Sequence, residues 1–433
     1  MINPEFTRNL WLEFSIQKLV AMPAILFLIF LAMAMSNTAI MQDTLSTTAT
    51  VLFITIVWLW GTIKAGASVA SEFQDNTWDL QRMSAMQPWD MTWGKLLGST
   101  AYAWYGGIFC LLVAGYYGNS PLSLITLEIT ALMLHALTFA VTLNNSRLDA
   151  RLARQNTTGI FIFFITFMAM QFTRSLEQYQ IFWWWNIPIQ KTHFWFASSV
   201  LFAGFAVVAA WRTMRTALQV RSIPWVWPLF TLVIGAYLGG LLNNEFREPW
   251  HALFSTTLWA AVIMSYAGLS SDLGNITAWR RLKLLAHTKN LRSSLVNLPT
   301  WPSTLILAFL FAMLDTPYSL SSQQIAYGQQ FSIAPLAVAL MLLRDICIFQ
   351  FFTLSAGQKR SMAAALVTLL LLDVLIPYLL HMGGLASIAY LILPVAPDSS
   401  WINVAVMAGQ ATIAVMLLRW KLQTEDRLVA VAA

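Results

Sequence analysis

Residues 19–41 read LVAMPAILFLIFLAMAMSNTAIM, and this run decides the class of protein. It contains no Asp, Glu, Lys or Arg. A helix rises about 1.5 Å per residue, so the run is long enough to cross the roughly 30 Å hydrocarbon core of a bilayer. No cleavage-site pattern follows it, and the run is therefore predicted to be a retained membrane span rather than a signal peptide.

Similar apolar runs recur along the whole chain. Only 10% of the 433 residues are charged, against about 25% in a soluble domain. The sequence therefore predicts an all-α polytopic membrane protein with about twelve transmembrane helices. Further candidate spans lie at 49–70, 96–117, 122–143, 157–173, 192–211, 225–243, 253–270, 300–315, 332–352, 363–381 and 401–419.

The distribution of Lys and Arg predicts the orientation of these spans, because cytoplasmic loops carry the excess of both. An N-terminus inside leaves only Arg174, Lys191 and Arg247 in the outer loops. It also places the basic C-terminal tail inside, so both termini are predicted to be cytoplasmic. The basic residues are scattered over short loops rather than forming one stripe, which argues against a nucleic-acid partner. The two cysteines and five histidines show no metal-ligand spacing.

Two loops suggest an internal duplication. Residues 71–77 read SEFQDNT after the second span, and residues 271–277 read SDLGNIT after the eighth. The common pattern at the same topological position favours a parallel repeat. We therefore predict two six-span units, 1–220 with the loop 71–95 and 221–433 with the equivalent loop 271–299.

The first of these loops is too apolar to be a simple connector. In residues 70–100, apolar and charged side chains alternate at roughly helical spacing, and Asp79 and Arg82 are placed to pair. The segment is predicted to form a helix along the membrane face. Such a helix either offers side chains to a partner or is only an interfacial anchor held by Trp78, Trp89 and Trp93.

The same segment resembles a motif of the ABC-2 type permeases. The resemblance rests on Glu72 just after the second span, Thr77-Trp78, Pro88, and Gly94-Lys95 at the third span. In that family the segment forms a coupling helix that docks into a groove of the ATPase subunit. This sequence has Asn76 where the family usually has Gly. The docking residues predicted on this basis are Glu72, Thr77, Trp78, Leu80, Arg82, Met83, Pro88 and Lys95, with Asp272 and Thr277 in the second loop.

The resemblance implies a permease that supplies both halves of a transport pathway. It implies separate ABC ATPase subunits as partners, in two copies, with ATP and Mg²⁺ bound there and no cofactor in this chain. It also leaves room for an auxiliary membrane subunit. The external loops are short and leave no docking site for a large binding protein, which favours export over import. The predicted location is the inner or plasma membrane. External segments at 174–190, which contain Trp183, Trp184 and Trp185, and at 385–396 would be membrane-inserted hairpins or interfacial anchors.

The chain carries no phosphate-binding loop of the form Gly-x-x-x-x-Gly-Lys-Ser/Thr, and no motif of an intramembrane hydrolase. It is therefore predicted not to be an enzyme itself.

Charged residues inside predicted spans are the other functional candidates, because each costs a few kcal/mol at the bilayer centre. They are Lys64, Glu128, Arg344, Asp345 and Asp373. These residues either form a polar substrate path or hold helices together, and Lys64 and Arg344 also have the length to snorkel. Arg344 and Asp345 point about 100° apart on a helix, so each is predicted to find its partner across the bundle rather than in the other.

Two other function classes stay open. One is an ion-coupled secondary transporter that uses Glu128, Arg344 and Asp373, with Asp373 the best single candidate because it lies in the middle of its span. The other is a scaffold that transports nothing and recruits partners through its loops.

Overall fold

The chain folds as a helical multi-pass membrane protein. Ten helices in the described part of the chain are long and apolar enough to cross a membrane. The predicted fifth span, 157–173, lies outside the described residues, and the total of twelve spans and the cytoplasmic termini stay predictions. The computed structural model describes residues 3–36, 41–84, 86–148, 181–220, 224–246, 248–271, 284, 296, 298–321, 324–326, 329–354, 358–389, 392–393, 395–396 and 400–432.

The chain divides into two compact units. Unit 1 comprises Met1–Phe182 and Pro188–Ser222, and unit 2 comprises Trp183–Ile187 and Ile223–Ala433. The domain boundary predicted at residue 220 stays a prediction. The proposed internal duplication stays a prediction.

Unit 1 is built from long helices that follow one another in the chain. A π-helical segment, Ile54–Gly61, joins α3 and α4 into one continuous helix, Met41–Gln74. The helices are α1 Pro4–Glu13, α2 Ile16–Ser36, α3 Met41–Phe53, α4 Thr62–Gln74, α5 Trp78–Arg82, α6 Pro88–Tyr116, α7 Pro121–Leu148 and α8 Lys191–Ala217.

Unit 2 contains helices of similar length and a small sheet. A second π-helical segment, Leu371–Leu375, lies between α13 and α14. The helices are α9 Val226–Leu242, α10 Pro249–Ser271, α11 Trp301–Ser321, α12 Pro335–Thr353, α13 Gln358–Leu370, α14 Ile376–Met382, α15 Ala386–Ala389 and α16 Ser400–Ala432, and Asn243–Glu245 is a 3-10 turn.

Several of the long helices begin with a proline in their first turn. Pro88 and Pro335 lie in the first turn of α6 and α12, where the missing N–H has no intrahelical partner and the fixed φ favours the helix. Most helices extend beyond the predicted apolar runs, because their backbone hydrogen bonds continue into the polar flanks. The predicted ninth span is the 21-residue helix α11, which contains Asp315 and Pro317 and is not among the ten.

Both predicted external segments contain β-structure where the structure describes them. Strands β1 Ile181–Trp184 and β2 Ile187–Gln190 form a hairpin, with Trp185 and Asn186 both at positive φ in its turn. Strand β5 Val395–Ala396 pairs antiparallel with β4 Gln329–Ile333, which also pairs with β3 Gln324–Ala326. Insertion of these segments into the membrane stays a prediction.

Each unit has its own apolar core. In unit 1, Val69, Phe139 and Met214 belong to a cluster contributed by α4 to α8. In unit 2, Leu342 and Ile346 of α12 pack with residues of α10, α11 and α13. Small residues are frequent in both clusters, which lets helices approach closely where lipid supplies little hydrophobic driving force.

The π-helical segment of unit 1 has a visible cause. His135 Nε2 lies 2.7 Å from the carbonyl oxygen of Val57, so the ring of α7 satisfies a carbonyl of the widened turn. Gly61 makes room for that ring, since a Cβ at this position would lie 2.6 Å from His135 Nε2. The wide turn and the buried histidine therefore support each other.

Replacing Gly61 by Ala should lower the stability of the detergent-solubilised chain by about 1–3 kcal/mol, because the new methyl group overpacks against His135. The midpoint of thermal unfolding measures this change. Gly204→Ala is the matched control, because Gly204 is also helical and a Cβ there meets nothing within 4 Å. Equal midpoints for both variants would contradict the account of the π-helical segment.

Candidate functional site

A buried ammonium group lies at the start of the third span. The side chain of Lys95 is 0% exposed, and its Nζ lies 2.9 Å from Glu5 Oε1 and 2.6 Å from Glu72 Oε2. These three residues come from α6, α1 and α4. Such burial requires a close partner for the charge, because an isolated ammonium in a low-dielectric interior costs several kcal/mol.

The glycine before Lys95 has a structural role in this arrangement. A Cβ at Gly94 would lie 2.7 Å from Glu5 Cβ, and one at Gly98 would lie 2.7 Å from Asn9 Cβ. Both glycines therefore let α1 pack directly on the backbone of α6. This approach brings the Glu5 carboxylate to Lys95.

Two further side chains complete the group, which we call the Lys95 cluster: Glu5, Arg8, Glu72, Gln81 and Lys95. Arg8 Nη2 lies 2.7 Å from Glu5 Oε1 and 2.6 Å from Glu72 Oε1, and the amide of Gln81 donates a hydrogen bond to Glu72. Two carboxylates thus face two cations. The charges balance, and the cluster joins α1, α4, α5 and α6.

The electrostatics of α1 reflect this balance. Burial favours the neutral form of Glu5, but the Lys95 ammonium and its hydrogen bond outweigh burial and lower the pKa of that carboxyl. Burial likewise opposes the charge on Arg8, and the hydrogen bond to Glu72 reverses this, so the pKa of Arg8 is raised. Both residues are therefore held in their charged forms.

The turn after α4 adopts the conformation that a glycine would favour. Asn76 has φ of 55°, in the left-handed region that asparagine tolerates better than most residues. Thr77 then returns to the end of α4, with its N and Oγ1 at 3.0 and 3.3 Å from the carbonyl oxygen of Glu72. Asn76 therefore forms the left-handed turn at a position where a glycine is not required.

The short helix α5 has a buried side and an exposed side. The Trp78 ring is buried and stacks on Phe73, with ring centroids 4.6 Å apart. Leu80 and Met83 are 67% and 76% exposed. Trp78 is therefore an anchor of the segment, and its exposed surface is formed by Leu80, Met83 and the polar pair Asp79 and Arg82, with Arg82 Nη1 3.4 Å from Asp79 Oδ1.

The predicted docking residues thus fall into different structural roles. Glu72 and Lys95 meet in the Lys95 cluster, Thr77 closes the turn, and Pro88 starts α6. Glu5 and Arg8 were not among the predicted site residues, although Asn3-Pro4 is a recognisable helix start. The predicted residues Asp272 and Thr277 lie outside the described residues.

The second group of predicted residues, in unit 2, forms what we call the Arg344 cluster: Tyr266, Arg344, Asp345, Asp373 and Gln410. Arg344 Nε donates to Asp345 Oδ1 at 2.8 Å, and its Nη1 donates to Gln410 Oε1 at 2.7 Å. Arg344 Nη2 also donates to Asp373 Oδ1, and Tyr266 donates to Asp345 Oδ2 at 2.5 Å. Helices α10, α12 and α16 and the π-helical turn meet at this point.

This geometry corrects one expectation. Arg344 and Asp345 were predicted not to pair with each other, and they do. The long guanidinium side chain bends back far enough to reach its neighbour, although the two Cβ atoms point in different directions. Arg344 also reaches across the bundle to Asp373, as expected for an interhelical clamp.

The remaining charged candidates lie in unit 1. Lys64 Nζ lies 3.0 Å from Glu13 Oε1, so its charge is paired. Glu128 of α7 is half-buried, and no described residue forms a hydrogen bond or ion pair with it. In the described part of the chain, no group of three His, Cys, Asp or Glu side chains is placed to hold a metal ion.

Comparison with known proteins gives no match to a family model, a curated protein or a solved structure.

Replacing Lys95 by Met should destabilise the chain by about 3–5 kcal/mol, because two buried carboxylates are left with Arg8 alone. The double variant Glu72→Gln/Lys95→Met restores the charge balance and should lose less than the sum of the single variants. Thermal unfolding in detergent measures each change. Arg82→Met, at the exposed pair with Asp79, is the control and should cost less than about 1 kcal/mol. Additive effects of Glu72→Gln and Lys95→Met would refute the cluster.

The Lys95 cluster also predicts a dependence on acid. Because the folded-state pKa of Glu5 is lowered, its contribution is complete above the ordinary glutamate pKa of about 4.3 and is lost as the pH falls through the lowered value. Glu5→Gln should therefore flatten the acid limb of a plot of unfolding midpoint against pH. Asp79→Asn, at a highly exposed carboxylate, should leave the limb as it is. An unchanged limb in Glu5→Gln would remove the charged state of Glu5 from the account.

Proposed function

We propose that this chain is the membrane-spanning permease subunit of an ATP-driven transporter of the ABC-2 type, working as an exporter in the inner or plasma membrane. Separate ATPase subunits, expected in two copies, would dock on its cytoplasmic loops and bind ATP and Mg²⁺. The chain itself would carry out no chemical reaction.

The observation that carries this proposal is the construction of residues 72–95. The acid at the start and the lysine at the end of the segment are joined by a buried ion pair, with Glu72 and Lys95 2.6 Å apart. Between them lies a short helix that exposes apolar side chains. A segment held at both ends and open in the middle suits a docking element better than a solvated connector does.

The same contacts suggest how movement would reach the spans. Trp78 fixes α5 to the core formed with α4, α6 and α7. Gln81 links α5 to Glu72, and the Lys95 cluster links Glu72 to α1 and α6. A partner that pulls on α5 would thus displace three other helices with it. ATP-driven closure of two ATPase subunits would be the source of that pull.

One observation favours a second candidate function, an ion-coupled secondary transporter. Arg344, Asp345 and Asp373 meet within the spans of unit 2, where charged side chains are expensive. Glu128, the other residue named for this function, belongs to unit 1. Transport that an ionophore abolishes and ATP depletion leaves unchanged would favour this function over the first. A chain whose deletion affects no transport would favour the scaffold.

The exposed side of α5 provides the direct test. Leu80→Asp and Met83→Asp place charges on the proposed docking surface and should abolish co-purification of an ATPase with the tagged full-length chain. Both side chains are exposed, so the free energy of unfolding should stay within about 0.5 kcal/mol of that of the parent chain. Trp78→Ala is unsuitable for this purpose, because it removes a buried ring.

Val220→Asp is the matched control, since Val220 is an exposed apolar residue after α8, in a loop predicted to lie on the same side of the membrane. It should retain the ATPase. Mass spectrometry of what co-purifies in mild detergent gives the readout. A chain recovered without any protein that carries a phosphate-binding loop would contradict the proposal, as would Leu80→Asp and Met83→Asp variants that retain such a partner.

A further inference from the structure

The Arg344 cluster has an unequal number of opposite charges. It holds one guanidinium and two carboxyl groups, and its other polar side chains, Tyr266 and Gln410, are neutral. If both carboxyl groups were ionised, the cluster would carry one negative charge in excess. The Lys95 cluster of unit 1, by contrast, pairs two acids with two bases.

Burial makes this excess costly. The side chains of Arg344 and Asp345 are 3% and 0% exposed, and that of Asp373 is 15% exposed. All three lie in helices long and apolar enough to cross a membrane. An unpaired charge at such a place costs several kcal/mol, and a buried group commonly neutralises instead.

The contacts of the two carboxyl groups show how neutralisation would occur. Asp345 and Asp373 both accept hydrogen bonds from the same guanidinium, so the two carboxyl groups share one cation. Two ionised carboxylates on one guanidinium repel each other, and a proton on either of them removes that repulsion. A pair of acids held close together generally shares one proton for this reason.

No other described side chain offers the missing positive charge. Helix α10 contributes Tyr266 to the cluster, α12 contributes Arg344 and Asp345, and α16 contributes Gln410. The thiol of Cys347, also on α12, lies close enough to Asp345 for its charge to act on it. On the neighbouring helix α11, the Oδ1 atom of Asp315 lies 3.6 Å from Nε2 of His251. Among the described residues, Arg344 is the cation that faces both carboxyl groups.

We propose that Asp345 and Asp373 together bind a single proton, and that the Arg344 cluster is a proton-binding site inside the membrane domain. Arg344 fixes the two carboxyl groups against each other, and Tyr266 holds the remaining oxygen of Asp345. Asp373 is the more exposed of the two and lies in a π-helical turn, a feature that often occurs at functional sites. It is therefore the carboxyl through which the proton enters and leaves.

A metal ion is a poorer occupant for this site. Hard cations take about six oxygen ligands, whereas Arg344 points nitrogen donors at both carboxyl groups and Tyr266 adds a hydroxyl donor. The site goes beyond the proposed permease function and does not depend on it, since nothing in the argument involves the docking segment.

Infrared spectroscopy of the purified full-length chain at neutral pH tests the proposal, with the C=O stretch of a protonated carboxyl group as the readout. Asp345→Asn and Asp373→Asn each remove one carboxyl group and leave a neutral Arg–Asp pair. We expect a protonated-carboxyl band in the parent chain that is lost in either single variant. Asp79→Asn, at a highly exposed carboxyl group outside the cluster, is the control and should leave that band in place.

Asparagine closely matches the shape of a protonated aspartic acid, so both variants should fold, and if one fails the other still gives the answer. A second readout is the unfolding midpoint as a function of pH. The parent chain should lose stability as the pH rises and the proton is lost, and either variant should be flatter there. The absence of any protonated-carboxyl band that depends on Asp345 or Asp373 would overturn the proposal. A band that disappears when Na⁺ is added at constant pH would also overturn it.

Discussion

The burial of one ammonium group governs the arrangement of unit 1. Lys95 has no exposed surface, so its charge has to be met by protein atoms, and the two carboxylates that meet it come from α1 and α4. Those acids in turn require Arg8, because they would otherwise exceed the lysine in charge. The result is a set of helices whose relative positions are fixed by charge balance as well as by apolar packing. Removing any one of the four charged members leaves the charges of the cluster unequal.

Unit 2 treats its buried charges differently. Arg344 is shared between two acids, so the polar contacts are satisfied while the charges are unequal. A balanced cluster suits a permanent structural joint, since no change of state would improve it. In an unequal cluster the excess charge is removed when one proton binds, so a change of state does improve it. The two clusters therefore differ in kind: the first has one stable charge state, and the second changes its charge when it binds or releases a proton.

Most of the fold could be predicted because the hydrocarbon core of a bilayer offers no hydrogen-bond partner to the backbone. Uninterrupted apolar runs such as 19–41 can satisfy their backbone only as helices, and the helices α2, α6 and α12 form where the sequence predicted them. The β-hairpin at Ile181–Gln190 and the π-helical segments were not predicted. The segment Ile54–Gly61 depends on His135, a residue of another helix, and no local pattern contains that contact.

The candidate sites were predictable only in part. The motif pointed to Glu72 and Lys95 separately, but their pairing with Glu5 depends on close packing at Gly94, between residues 90 positions apart. Likewise, the directions of Cβ atoms suggested that Arg344 and Asp345 would not pair, because that argument ignores the length of the arginine side chain. Long-range packing and side-chain reach decide both sites, and neither is visible as a period in the sequence.

The participation of α1 in the Lys95 cluster has a consequence for biosynthesis. Glu5 is synthesised first, whereas Lys95 follows 90 residues later, which is roughly 5 to 20 s at ordinary rates of translation. For most of this interval α1 has an acid and a base but neither of its buried partners, because Glu72 precedes Lys95 by only 23 residues. The cluster can close only after the second and third spans have been inserted in the correct order and direction. Closure of the cluster therefore depends on the correct topology, because a misoriented third span would leave the ammonium group of Lys95 without carboxylates.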